Sequence, residues 1–223
     1  MGIFAYPLKI GTTIHETGHL IVAMIFGHTV TSYRPFAPDR KTGTLGSVET
    51  TFNPGNLYQY IGLFFIGIAP VVFGTLVIFV ALYLLFREQL SDVSARMAID
   101  ASTVGSIPSQ IITASLAFLS FLFRPDHLAD WRLYVFLYIA FVIGSSISLS
   151  NADVKVATPG CTTFIALLFL FNLALVSIGV TSENTFAWLS QTYAFFYVIL
   201  FLVIELDLLA VAILWIPAAI RRS

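Results

Sequence analysis

His15, Glu16 and His19 stand in the spacing HExxH inside TTIHETGHLIVA, residues 12 to 23, an otherwise apolar run. On a helix, residues four apart share a face, so both imidazoles can aim a nitrogen at one ion about 2.0 Å away. Glu16 follows the first of these ligands and can reach a water on the same ion, taking its proton once the metal lowers the water's pKa toward about 7. Such a pattern on a helix is the chemistry of zinc-dependent peptide hydrolysis. A glutamate at membrane depth is costly unless a partner or a metal compensates it. A hydrogen-bonded polar knot between helices is the plainer explanation, and it leaves the ligand spacing unaccounted for.

A catalytic zinc takes three protein ligands and keeps a fourth position open. Cys161 is the sole cysteine, so neither an intrachain disulfide nor a thiolate cluster can form within the chain, and a small packing residue is expected there. The third ligand is therefore sought among carboxylates and histidines at the edge of another apolar stretch. Asp153, in SISLSNADVKVATPGC, follows one such stretch and precedes the Pro159-Gly160 pair, read as a break before the next. A helix that ends and restarts there would carry the aspartate to membrane depth inside the protein, where irregular backbone is tolerated. A helix cap or loop charge is the simpler role. Glu205 and Asp207, in FLVIELDLLAV, compete with it. Being i and i+2, they point about 200° apart on a helix, so at most one faces a single site. His28 is expected at the membrane interface, on the opposite helix face from His19. His127, beside Asp126 and Asp130 in a short loop, is expected to be solvated.

The elements that must position these groups are read from composition. The chain has 223 residues, 58% hydrophobic, 15% aromatic and 10% charged, against roughly 25% charged in a soluble domain. An all-α polytopic membrane protein with a single membrane domain, residues 1–223, is expected. A crossing helix needs about 20 apolar residues, and six stretches approach that: 4–27, 57–86, 105–123, 131–150, 161–180 and 187–217. Between the first two lies a polar segment, 28–56, in which TVTSY and TLGSVETT flank the turn-forming PDRKTG, so a β-hairpin insertion is predicted. Residues 87–104 suit an amphipathic or loop segment at the interface. Gly62, Gly67, Pro70 and Gly74 give the second stretch a small-residue seam with a proline kink, suited to close packing on the first.

Net charge is −1, with no basic patch, so nucleic acid is not an expected partner, and the apolar composition makes the lipid bilayer one. Lys9, Arg87, Arg96, Lys155, Arg221 and Arg222 fall on the side of the termini, against Arg34, Arg40, Lys41, Arg124 and Arg132 opposite. That balance sets no orientation, although the Arg221-Arg222 end favours a cytoplasmic C terminus. No cleaved signal peptide is expected, because no charged region precedes the first apolar stretch.

An HExxH stretch, a β-rich polar segment straight after it, a second apolar stretch with Gly67-Ile68-Ala69-Pro70, and a later Asn151-Ala152-Asp153 resemble the site-two protease group of intramembrane zinc metalloproteases (peptidase family M50, its M50B-like members). The resemblance covers residues 12–74 and about 145–160, and HETGH is its specific part. It implies Zn2+ held by His15, His19 and an aspartate, Glu16 as base, and a hairpin edge offered to an unfolding transmembrane substrate. Unlike the family pattern, no proline lies close before Asp153 and Val154 follows it in place of glycine. An inactive relative, serving as a structural subunit or assembly factor among other membrane subunits, is the alternative.

Overall fold

The computed structural model describes residues 5–39, 41, 43–89, 107–147 and 149–177. These are mostly helical, with one two-stranded antiparallel sheet. In chain order they form α1 (Ala5–Ile25), β1 (Thr29–Arg34), β2 (Ser47–Thr51), α2 (Leu57–Phe86), α3 (Ile107–Leu122), α4 (Pro125–Leu128), α5 (Trp131–Ile147) and α6 (Asn151–Ser177). Two helices, Leu57–Phe86 and Asn151–Leu175, are long and apolar enough to cross a membrane by length and composition. The stretch 187–217, with Glu205 and Asp207, and most of 87–104 lie outside the described residues.

Four of the expected stretches coincide with α1, α2, α3 and α5, but the fifth starts upstream of its expected position. The Pro159-Gly160 pair is no break: α6 begins at Asn151 and runs through it. Ser150 and Asp153 form a capping box that nucleates the helix there. The Asp153 N–H donates to Ser150 Oγ at 3.2 Å, and the Ser150 N–H donates to Asp153 Oδ2 at 2.7 Å. Packing then absorbs the pair, since a Cβ on Gly160 would stand 2.5 Å from Phe64 N, leaving room there for hydrogen only. Among the described residues the irregular backbone between α5 and α6 is Leu149 and Ser150, not the segment after Asp153.

The chain divides into two compact units, Met1–Leu76 with Val142–Val180, and Val77–Phe141 with Thr181–Ser223. In the first, α1 ends in a Schellman motif. Gly27 takes φ 72°, its N–H donates to Met24 O, and the His28 N–H donates to Ala23 O, which turns the chain into β1. β1 pairs with β2 from Thr29↔Thr51 to Arg34↔Ser47, with a bulge at Thr31, and both strands pack on α1. The Thr17 hydroxyl and Tyr33 OH, 2.8 Å apart, tie β1 to the helix.

His28 is buried. Its Nε2–H donates to Gln59 O at 2.8 Å and its ring stacks on Phe52. The small-residue seam of α2 also divides its work. Gly62 meets Phe26, and Ala69 and Phe73 meet Gly18 of α1. Gly67, in contrast, meets Asp153 and Ala157, while Gly74 meets Ile143 and Ile147. Close packing on α1 is only part of its role.

In the second unit, Phe86, Phe118, Leu122, Leu133 and Phe136 are fully buried. His127 is buried with them and not solvated, because its Nδ1–H donates to Phe121 O at 2.8 Å and its ring lies against Phe86 and Phe121. Arg124 grips Asp126 with two hydrogen bonds of 3.1 and 3.0 Å, which hold that carboxyl below the usual carboxylate range.

Candidate metal centre

His15 and His19 sit at mid-length of α1 on one face, as the i, i+4 spacing demands. Asp153 comes to them from the first turn of α6. His19 Nε2 is 3.2 Å from His15 Nε2 and 3.1 Å from Asp153 Oδ1, and His15 Nε2 is 3.7 Å from Asp153 Oδ2. Each group is held from behind by backbone. The His15 Nδ1–H donates to Ser146 O at 2.7 Å, and the His19 Nδ1–H to Ile66 O at 2.7 Å. Asp153 Oδ2 accepts the Ser150 N–H through the capping box.

A carbonyl only accepts, so both Nδ1 atoms carry protons, and each ring in its neutral form presents a bare lone pair at Nε2. Three acceptor groups therefore converge on one point, a repulsive arrangement until a cation or a shared proton enters it. Zinc fits this donor set, since ligands 2.0–2.1 Å from a tetrahedral ion stand about 3.3 Å apart, close to the 3.1, 3.2 and 3.7 Å seen here. His15, His19 and Asp153 are also the group among the described residues placed to hold a metal ion.

Comparison of the chain with protein-family models, with curated proteins and with solved structures found no match.

The three groups open onto a cavity of about 600 Å³, within the size range of small-molecule and substrate pockets. Glu16 lies on its wall. Against Glu16 runs the segment Gly43–Val48, which leads into and begins β2. A Cβ on Gly46 would stand 2.7 Å from Glu16 Cγ and 2.9 Å from Arg34 O, so only glycine lets the hairpin close on this carboxylate. Thr12, Ser145, Ser146 and Ser150 add hydroxyls to the lining, and Leu8, Ile66 and Val156 add apolar surface.

The structure thus brings His15, Glu16, His19 and Asp153 together. The helix-cap role and the metal-facing role of Asp153 are compatible: Oδ2 caps, and Oδ1 faces His19. Sequence reasoning missed Ser146, Ile66 and Gly46. Backbone carbonyls carry no residue-type signal, but Ser150-Asn151-Ala152-Asp153 is legible as a capping box.

Proposed function

We propose that this chain is an intramembrane zinc metalloprotease that hydrolyses a peptide bond in or near a transmembrane segment. The observation that carries the reading is the arrival of Asp153 within 3.1 Å of His19 Nε2, with both histidines fixed by backbone so that Nε2 faces it. The resemblance to the site-two protease group rests on the same residues.

In this reading His15, His19 and Asp153 hold the metal, which when bound supplies Lewis acidity toward a carbonyl and toward water. Glu16 takes the proton of the attacking water and returns it to the departing amide nitrogen as the peptide bond breaks. Ser146 O and Ile66 O keep the two rings in register throughout. A transmembrane substrate must unwind locally, because helical hydrogen bonds occupy its carbonyls. β2 has one partner strand among the described residues, and Ser47, Val48 and Thr50 line the cavity. Its other edge offers main-chain hydrogen bonds to the extended peptide.

The six-span, multi-pass arrangement belongs to the same proposal. Apolar side chains such as Leu76, Phe169, Leu170 and Phe171 lie more than half exposed, surface that lipid tails cover without cost.

Metal analysis of the purified protein is the test. Zinc near one equivalent per chain is expected, lost in His15→Ala and kept in Glu16→Gln, whose peptidase activity is abolished. An unmutated chain that takes up no zinc would sink the reading and favour the inactive structural subunit.

A further inference from the structure

Ile66 lies well inside α2, where a carbonyl is ordinarily taken by the N–H four residues on. That partner is Pro70, which is fully buried and has no N–H to give. The Ile66 carbonyl is therefore without its helical donor, and it is this carbonyl that receives the His19 Nδ1–H at 2.7 Å. We infer that Pro70 is a positioning residue of the metal centre: it withholds the one N–H that would compete with His19 for the Ile66 carbonyl.

The other histidine uses a carbonyl freed by different means. Ser146 lies in the last turn of α5, and its helical partner would be the N–H of Ser150, which donates to Asp153 Oδ2 instead. Both rings therefore find acceptors that no helix needs, one vacated by a proline and one left at a helix end. Free of competition, the Ile66 carbonyl fixes the His19 tautomer and ring direction, and the acceptor behind a ligand imidazole strengthens its Nε2 as a donor to metal. A proline kink that merely shapes α2 would do none of this. Pro159 provides the contrast: it also stands inside a helix, and no histidine bonds to the Lys155 carbonyl among the described residues.

The inference rests on the metal-centre reading, and the test separates the two with the full chain in lipid nanodiscs. Zinc affinity is measured by chelator competition, and the His19 Nδ1–H is followed by ¹⁵N-histidine NMR in metal-free protein. Pro70→Ala restores the competing N–H; zinc affinity should fall about 10–100-fold and the His19 Nδ1–H signal should broaden or give way to the other tautomer. An ester-linked lactyl residue in place of Pro70 lacks both ring and N–H, and should recover wild-type affinity and signal. Pro159→Ala should change neither. A Pro70→Ala protein indistinguishable from wild type in both readouts overturns the inference, as does a lactyl variant as impaired as Pro70→Ala. If Pro70→Ala does not fold, the lactyl variant decides alone, wild-type behaviour supporting the role of the missing donor and impaired behaviour refuting it. A wild-type chain that binds no zinc removes the metal reading, while the NMR comparison still decides whether Pro70 governs the His19 bond.

Discussion

Asp153 does two jobs with one carboxylate, and substitutions can divide them. Asp153→Ala removes both the acceptor for the Ser150 N–H and the oxygen facing His19. It should lower stability by about 1 kcal/mol, the order of a capping-box contact, and release zinc. Asp153→Asn keeps a side-chain carbonyl for the cap, so it should weaken zinc binding at a smaller loss of thermal stability; equal losses of stability would mean that the carboxylate serves the helix alone. Asp207→Ala is the comparison for ligand choice, and it is expected to retain the metal. Gly46 tests the proposed role of Glu16 as base in the same way. Gly46→Val would drive a side chain into Glu16 Cγ, 2.7 Å from the position of the first added carbon. Turnover should drop at least tenfold, about 1.4 kcal/mol of barrier, with zinc content unchanged. Loss of metal in that variant would show that Gly46 shapes the ligand set and not the carboxylate.

Among the elements, the crossing of α2 with α6 sets the distance between Asp153 and the histidines. At Gly67 a Cβ would lie 2.5 Å from Ala157 Cβ and 2.8 Å from Asp153 O, so an alanine there must push the first turns of α6 away. Overpacking of this kind costs about 1–3 kcal/mol. Gly67→Ala is therefore expected to lower the melting temperature and zinc affinity together. Adding Ala157→Gly should restore part of each, because it removes the closer clash and leaves the one with the Asp153 carbonyl. Val72→Ala on the same helix, at a half-exposed position, should leave zinc affinity unchanged. The hairpin is the complementary element. It approaches the site from the Glu16 side, fastened to α1 by Thr17 and Tyr33, while α6 approaches from the ligand side.

For the whole molecule, the span count carries a topological consequence. Six spans, as proposed, would put residues 28–56 and 124–130 on one side of the membrane and Glu88 on the other. In a Cys161→Ser background, which removes the native thiol, single cysteines replacing Asn53 and Asp126 should react with an impermeant maleimide from the same side, and one replacing Glu88 from the opposite side. Labelling of Asn53 and Glu88 from one side would show that Leu57–Phe86 does not cross.

Much of this was legible in the chain. The i, i+4 histidines fix a shared helical face by geometry alone, Thr- and Val-rich runs around PDRKTG specify a hairpin, and apolar length bounds α2 to the residues it occupies. What misled was local: Pro159-Gly160 has the look of a helix break, yet a capping box upstream and the contact of Gly160 with α2 carry the helix through it. His127 has polar neighbours in sequence and aromatic ones in space. Sequence determined which groups could ligate, because that depends on side-chain chemistry and helical period. Only the tertiary structure decided which carboxylate among the described residues meets the histidines and which carbonyls orient them, because those depend on how closely glycines let α1, α2, α5 and α6 approach.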